Sequence, residues 1–197
     1  MNEFSHIPVL LNEVLKEFRD SKGTIIDATL GLGGHSFALL EENKDINIIG
    51  IDKDIEAIAL AKERLKKNSD RLEIVHSNFS NGIKEILSKN NNITGILADI
   101  GISSYQVDNL SRGFSFYSDN LDMRMDLDSH ITAKMIINSY SKDELHRIFT
   151  EYGEIKNPIP VTKMILDYRK NHTINTAKEL SQLIESNSKI SSRIHPA

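Results

Sequence analysis

Four short runs of apolar residues stand in the first half of the sequence, with little alternation between hydrophobic and polar positions. Such runs are typical of parallel strands that are covered on both faces of a sheet. The four runs are Thr24–Ala28, Asn47–Ile51, Leu72–His76 and Gly95–Asp99. Stretches with helical periodicity lie between them, at Ser36–Glu42, Asp54–Lys67 and Asn81–Lys89. Strands that alternate with helices predict βαβ units and a parallel sheet, so the fold class is α/β.

The second half of the sequence has a different character, because helix start signals replace the apolar runs. Residues 101–128 are loop-like, with glycine, serine, asparagine and aspartate scattered among aromatic residues. Four helices are predicted after this loop: Thr132–Ser139, one capped by Ser141 with Glu144 in a capping box, one that begins at Asn157-Pro158, and one capped by Thr176 with Glu179. We therefore predict an α/β half over residues 1–105 and a helical subdomain over residues 106–190.

Composition narrows the classes of protein to which the chain can belong. Hydrophobic residues make up 39% and charged residues 26% of the chain, which is enough for a packed core. The sequence has no cysteine, and this excludes a disulfide scaffold, a cysteine zinc site and a thiol nucleophile. Its seven histidines show no metal-ligand spacing, so we predict no metal. Neither a signal-peptide pattern nor an apolar run of about 18 residues is readable, and we expect a cytoplasmic protein that does not enter a membrane.

Net charge does not indicate a nucleic-acid partner by itself. Residues 1–150 hold 17 lysines and arginines against 23 acidic residues, whereas residues 151–197 hold 7 against 5. The total is −4, and the small excess of positive charge in the last part is far from a basic stripe.

The strongest chemical signal is a glycine-rich turn, Asp27–Ser36, directly after the first predicted strand. Glycines let the backbone approach a ligand closely, and the free N–H groups at the following helix N-terminus favour a polar or anionic group. Asp52 ends the second strand about twenty residues later, where a carboxylate accepts the hydroxyls of an adenosine ribose. Together these residues predict a nucleotide site. A dinucleotide fingerprint requires a third glycine at position 36, so Ser36 disfavours an NAD-dependent oxidoreductase.

The turn resembles motif I of class I S-adenosylmethionine methyltransferases, since Asp27-Ala-Thr-Leu-Gly-Leu-Gly33 fits their Asp-x-x-x-Gly-x-Gly form. Phe79 follows the third strand, where that class contacts the adenine. Asp99 ends the fourth predicted strand, where such enzymes carry the residues that meet the methyl acceptor.

Several further segments narrow the resemblance to one family. They are His6–Leu11, Gly31–Ser36, Asp99–Ser104, Gln106–Asp108, Arg112–Phe116, Leu121–Asp126 and His195–Ala197. In this order they resemble the bacterial 16S rRNA cytosine-N4 methyltransferase family, also called MraW. The resemblance implies a Rossmann-like class I methyltransferase sheet, with residues 106–190 inserted for substrate recognition.

The same resemblance implies the ligands and the site. The cofactor would be S-adenosylmethionine, and the substrate a cytidine in the 16S rRNA of the small ribosomal subunit. The cofactor contacts would fall on Gly33, Gly34, His35, Asp52, Phe79, Asp99 and Gln106. Asp99 would also be the catalytic residue, because its carboxylate can accept a hydrogen bond from the N4 amine of cytosine. Tyr105, Phe114 or Phe116 would stack on an unpaired or flipped base, or pack within the loop.

Two features depart from the family pattern. The segment Glu154–Pro160 carries prolines where relatives continue as a helix. The family's chain also continues past His-Pro-Ala into further strands, towards which residues 191–197 would return. We therefore expect an incomplete sheet, with strand four as an uncovered edge that favours association of two copies. The alternative to an active enzyme is a catalytically inactive N-terminal fragment that binds the cofactor or a partner chain.

Overall fold

A computed structural model describes residues 7–89 and 92–187, and the contacts among them divide the chain into two units. The first unit runs up to Ser103 and also takes in Met125–Leu127. The second holds Ser104–Arg124 and the chain from Asp128 onward. The predicted return segment 191–197, with the His195–Ala197 motif, lies outside the described residues, as does His6. The functional roles assigned to residues 1–105 and 106–190 stay predictions.

The first unit is built on a four-stranded sheet in which every pairing is parallel. The strands are β1 Gly23–Asp27, β2 Ile46–Asp52, β3 Leu72–His76 and β4 Ile93–Leu97. Their spatial order is β3-β2-β1-β4. This is the beginning of the Rossmann order, in which the chain reverses direction across the sheet between β1 and β4. The predicted Rossmann-like α/β class is confirmed.

Helices cover both faces of this sheet. They are α1 Leu11–Glu17, α2 Gly34–Glu42, α3 Ile55–Arg64 and α4 Phe79–Lys89. Because successive strand residues point to opposite faces, Ile25 and Ile48 pack with residues of α1, α2 and α3. Ile26 and Ile49 face the other way and pack against Ile86 of α4. Both faces of β1 and β2 are therefore apolar, which explains why their sequences show little alternation, whereas the edge strands β3 and β4 are exposed at some positions.

The fourth strand ends earlier than the sequence predicts. The prediction placed Asp99 at its last position, but β4 stops at Leu97, the residue that pairs with Asp27. Beyond Asp27 the chain of β1 turns away into the glycine-rich loop, so the ladder loses its partner. Ala28 still donates its N–H to the carbonyl of Leu97 (2.8 Å). Asp99 therefore lies in the loop that follows β4 and is not part of the strand.

Other helix boundaries also differ from the prediction. Helix α1 is not among the predicted elements. Helix α3 ends at Arg64, before the predicted end at Lys67, and residues 66–71 form a 3₁₀ turn. Residues 101–128 are not wholly loop, since α5 covers Ser104–Asp108 and a 3₁₀ turn covers Leu110–Arg112. Helix α4 begins at Phe79, two residues before the predicted start.

The second unit is helical. Besides α5 it contains α6 Ala133–Ser139, α7 Lys142–Glu151, α8 Ile159–Tyr168 and α9 Ala177–Asn187. The predicted capping box of α7 is present, with Ser141 and Glu144 bonded in both directions. The hydrophobic core of the second unit consists of Leu121, Ile137, Leu145, Ile165 and Ile174. Within residues 7–89 and 92–187, no helix has the length and apolar character needed to cross a membrane.

Two segments that carry the family resemblance fold against each other in this unit. Arg112 is 4% exposed and donates from Nη2 to the carbonyl of Arg124 (2.9 Å). In return the N–H of Met123 donates to the carbonyl of Arg112 (3.0 Å). Asp122 accepts two bonds from the Arg124 guanidinium, at 2.8 Å from Nε and 2.7 Å from Nη2. These segments therefore fix the shape of the loop that precedes α6.

Candidate active site

The glycine-rich loop joins the end of β1 to the start of α2. Gly31 and Gly33 have positive φ angles of 51° and 72°, so both adopt the left-handed conformation that favours glycine. They differ in their surroundings. A Cβ on Gly33 would lie 2.8 Å from Cδ1 of the buried Leu65, whereas a Cβ on Gly31 would meet only the Thr29 carbonyl, at 3.9 Å. The space beside Gly31 is therefore open to a ligand, and the space beside Gly33 is filled by the core.

Asp52 holds this loop through its side chain. It is the last residue of β2, and its Oδ2 accepts the N–H of Gly31 at 2.7 Å. Its Oδ1 accepts the N–H of Asp54 at 2.9 Å. A carboxylate has about four acceptor positions, so these two bonds leave capacity for ribose hydroxyls. Asp52, a predicted cofactor contact, thus also links the end of β2 to the glycine-rich loop. Its position in the sequence does not reveal this structural role.

A buried polar pair lies beneath the loop. Asp27 is 2% exposed and accepts the hydroxyl of the fully buried Ser36 at 2.6 Å. It also accepts the N–H of Thr29 at 3.2 Å. Burial raises the pKa of the Asp27 carboxyl above its ordinary value, although both hydrogen bonds act in the opposite direction. Ser36, which disfavours a dinucleotide, therefore serves to anchor the start of α2 to the end of β1.

Thr29 connects the glycine-rich loop to Asp99. Its Oγ1 accepts the N–H of Asp99 at 2.7 Å, across a separation of 70 residues. This hydrogen bond lies just beyond the last pair of the ladder between β1 and β4. It uses only the backbone of Asp99, and the residue is exposed. Nothing in the sequence pattern indicated a role for Thr29, because a threonine in a turn carries no signal of its distant partner.

His35 lies at the start of α2 and is almost buried, with 9% exposure. Its Nε2 lies 2.9 Å from the carbonyl of Val9, which can only accept, so Nε2 carries the proton. The neighbouring Gly34 has no room for a side chain, since a Cβ would lie 2.6 Å from Cγ of Pro8. Both residues therefore hold the segment before α1 against the loop. Their contact with a cofactor, like that of Gly33, stays a prediction.

The remaining predicted cofactor residues lie in different places. Phe79 is the first residue of α4, and its side chain is 45% exposed. It follows the end of β3, where His76 pairs with Asp52. Gln106 belongs to α5 in the second unit, where it is 5% exposed. The first unit thus gathers the loop, Asp52, Phe79 and Asp99 at the carboxyl ends of its strands, and the role of Gln106 stays a prediction.

The part of the chain that the structure describes contains no group of three or more histidine, aspartate or glutamate side chains placed to hold a metal ion. The candidate site therefore consists of backbone N–H groups, carboxylates and an exposed aromatic ring. Carboxyl ends of parallel strands beside the point where the strand order reverses are the usual ligand position in open α/β sheets.

Fold and site together define an α/β protein of the Rossmann-like class, with a glycine turn after β1 and an acidic residue at the end of β2. The profile of the MraW methylase family matches residues 3–197. The chain belongs to this family, as the resemblance of its segments indicates.

Curated relatives with similar sequences share one name, ribosomal RNA small subunit methyltransferase H. The protein from a Nitratiruptor species is 49% identical over 98% of this chain and 62% of its own length. That from Campylobacter fetus subsp. fetus is 50% identical over 91% of this chain and 58% of its own length. The protein from Sulfurimonas denitrificans is 44% identical over the whole chain and 64% of its own length. The chain therefore spans about three fifths of the length of these relatives.

Proposed function

We propose that the protein transfers a methyl group from S-adenosylmethionine to the exocyclic N4 of a cytidine in the 16S rRNA of the small ribosomal subunit. The observation that carries the proposal is the exposed Asp99, fixed by Thr29 to the same loop that Asp52 holds. The relatives' shared name supports an RNA substrate from the small subunit. Because ribosomal RNA lies in the cytoplasm, we propose that the protein acts there.

The residues of the first unit fit the cofactor. Asp52 has acceptor capacity for ribose hydroxyls, and the exposed ring of Phe79 offers a face for the adenine. The open space beside Gly31 lets a ligand approach the backbone of the loop closely. When bound, S-adenosylmethionine supplies an electrophilic methyl group.

Asp99 supplies what the acceptor requires. The N4 amine of cytosine is a poor nucleophile, because its lone pair is delocalised into the ring. A carboxylate that accepts an N4–H hydrogen bond returns electron density to the nitrogen and fixes its direction. Asp99 is suited to this task, since its backbone is held by Thr29 while its side chain is exposed.

The target base must leave its stack to reach such a site. Enzymes that modify a base act on unpaired or flipped nucleotides, which aromatic side chains then stack upon. The second unit exposes Phe116 (41%) and Tyr117 (75%), whereas Tyr105 and Phe114 are half-buried. Phe116 is therefore the better stacking candidate among the three aromatic residues that the sequence indicates.

The proposal is tested by transfer of a labelled methyl group from S-adenosylmethionine to unmethylated small ribosomal subunits, using the complete gene product. Nuclease digestion of the RNA should then yield labelled N4-methylcytidine. Label on another base or on another atom of cytosine would contradict the proposal. The alternative is a catalytically inactive N-terminal fragment that binds the cofactor or a partner chain. Calorimetric binding of S-adenosylmethionine by residues 1–197, without any transfer by these residues, would favour it.

A further inference from the structure

The second unit contains an open groove of about 620 Å³ that has no part in the site described above. Its walls come from α6, the first residue of α7, α8 and the turn that follows α8. The polar residues that line it are Asn138, Lys142, Lys163, Asp167, Arg169 and Lys170. Four of these are cationic and one is acidic, so the groove carries a local excess of positive charge.

The positive charges of the groove differ in how firmly they are held. Arg169 donates to the carbonyls of Ile137 (2.8 Å) and Tyr140 (2.6 Å), so it is a fixed charge at the end of α6. Lys170 is paired with Asp167 at 2.6 Å. Lys142 and Lys163 are exposed, and neither forms an ion pair with a residue in 7–89 or 92–187. Lys163 lies near enough to Asp167 for its charge to help lower the pKa of that carboxyl, but Asp167 forms its ion pair with Lys170. The groove therefore offers two lysines that form no ion pair within the described chain.

Apolar side chains complete the lining. Leu166 and Ile159 lie in the same groove, and Ile159 is 56% exposed. A surface that combines such lysines with exposed aliphatic side chains can contact both the phosphates and the sugars of a nucleic-acid strand. The charge of the whole chain sharpens this contrast, because it is −4 and a polyanion is attracted only where positive charge is local.

We propose that this groove binds the phosphate backbone of RNA, with Lys142 and Lys163 as phosphate contacts and Arg169 as a fixed charge behind them. The inference rests on the proposed RNA substrate and assigns a surface that binds it. Phosphate contacts position a protein on a nucleic acid without reading its sequence, so the groove contributes affinity and orientation. An acidic protein segment is the competing occupant that the experiment must exclude.

The test compares two double variants of the complete gene product. Lys142→Gln with Lys163→Gln removes the unpaired charges of the groove, and Lys156→Gln with Lys178→Gln removes two exposed lysines of the same unit that do not line it. Binding of purified small-subunit rRNA is measured by filter retention over a series of KCl concentrations. Melting temperatures and the affinity for S-adenosylmethionine are measured on both variants, to show that each is folded.

The groove variant should bind rRNA about tenfold more weakly at moderate salt, and the slope of log K against log salt should become shallower by about one to two. The control variant should stay within about twofold of wild type. Equal affinity and slope in the groove variant and wild type would overturn the proposal. The proposal would also be overturned if polyglutamate displaced rRNA from the wild-type protein as effectively as an RNA of equal charge does.

This result is independent of the methyl-transfer assay. If transfer to N4 fails while the groove variant still loses rRNA affinity, the proposed reaction is wrong and the proposed RNA-binding groove is supported. If transfer succeeds and the groove variant binds rRNA as wild type does, the groove proposal is wrong and the proposed reaction is supported. A charge reversal, Lys163→Glu, provides a second measurement and should weaken rRNA binding further than Lys163→Gln alone, which is measured beside it.

Discussion

The hydroxyl of Thr29 accepts the N–H of Asp99 at 2.7 Å and so ties the loop after β1 to the residues that follow β4. Thr29 also donates its own N–H to the buried Asp27, which in turn accepts the hydroxyl of Ser36. The backbone of Asp99, the proposed catalytic residue, is thereby connected to the start of α2 through three hydrogen bonds. Its position depends on the glycine-rich loop, although 70 residues separate Thr29 from Asp99 in sequence.

Thr29→Val should therefore lower methyl-transfer turnover while leaving cofactor affinity nearly unchanged. Valine keeps the shape of threonine but cannot accept the Asp99 N–H, and small misplacements of a catalytic group cost about ten- to a hundredfold in rate. Thr29→Ser, which retains the hydroxyl, should restore most of the turnover. Single-turnover rates and calorimetry on the three proteins separate the two effects. Equal turnover in the valine and serine variants would show that Thr29 only supports the fold.

Asp99→Asn should reduce turnover more strongly than Thr29→Val. The amide keeps the size of the side chain but removes the negative charge that polarises the N4–H bond, so the loss lies in the transition state. We expect at least a hundredfold decrease in the rate of transfer, which corresponds to about 2.7 kcal/mol. The affinity for S-adenosylmethionine should change far less. Turnover within about tenfold of wild type would remove Asp99 from the catalytic role.

Asp52→Ala should weaken binding of S-adenosylmethionine by about 2–4 kcal/mol, because charge-assisted hydrogen bonds to ribose hydroxyls contribute about 1.5–3 kcal/mol each and do not add fully. The variant also loses the acceptor for Gly31, so the loop itself becomes less ordered. Asp54→Asn is the matched control, since asparagine retains the cap of α3 that Asp54 provides to Glu56 and Ala57. Calorimetry should show a near-normal dissociation constant for that control. An unchanged constant for the alanine variant would exclude Asp52 from the site.

The α/β part of the fold is predictable from sequence because its strands are apolar runs, and the central strands β1 and β2 are buried on both faces. All four apolar runs are strands, and the glycine turn and Asp52 lie where the pattern places them. The predicted β4 has the correct length, but both of its bounds lie two residues too late, because the pairing with β1 decides where the strand begins and ends. Helix α1 and its C-cap residue Phe18 have apolar residues at positions 11, 14, 15 and 18, a helical spacing that is present in the sequence.

The site is less predictable, because its hydrogen bonds join residues that are distant in sequence. The role of Asp52 in holding Gly31 follows from the parallel register of β1 and β2. Likewise, Arg112 and Asp122 occur in segments that carry the family resemblance, but only the folded chain shows that they fix the same loop. Patterns in the sequence indicate which residues matter, whereas the contacts show what each of them touches.

The pair formed by Asp122 and Arg124 should make stability depend on pH. Hydrogen bonds from Arg124 hold the pKa of Asp122 below its ordinary value of 3.8, and the two side chains are only 18% and 24% exposed. A carboxyl whose pKa is lower in the folded state stabilises the protein fully above its unfolded pKa, and this contribution is lost as the pH falls through the folded pKa. Asp122→Asn should cost about 1–2 kcal/mol at pH 7.

Urea unfolding of wild type and Asp122→Asn from pH 7 to pH 2.5 measures this contribution as a difference, so that other titrating groups cancel. The difference should be constant above about pH 5 and should shrink as the pH falls below about 4. Lys170 and Asp167 form an exposed pair in the same unit, and Asp167→Asn should change stability less than Asp122→Asn does at pH 7, because solvent screens an exposed pair. A pH-independent difference for Asp122→Asn would contradict the ion-pair explanation.

Gly31 and Gly33 should respond differently to alanine, although both have positive φ angles. Gly31→Ala should cost about 1–2 kcal/mol of stability, the strain of a left-handed alanine, because its Cβ enters open space. Gly33→Ala should cost about 2–4 kcal/mol, because the new Cβ also meets the buried Leu65 and overpacking adds about 1–3 kcal/mol. The order should reverse for cofactor affinity. The methyl group of Gly31→Ala would occupy the space left for the ligand, so this variant should bind S-adenosylmethionine more weakly than Gly33→Ala at temperatures where both are folded. Urea unfolding and calorimetry on the two variants test both orders. If Gly33→Ala proved the more stable variant, the close contact with Leu65 would not determine the cost. If Gly31→Ala bound the cofactor normally, the open side of the loop would not be the ligand side.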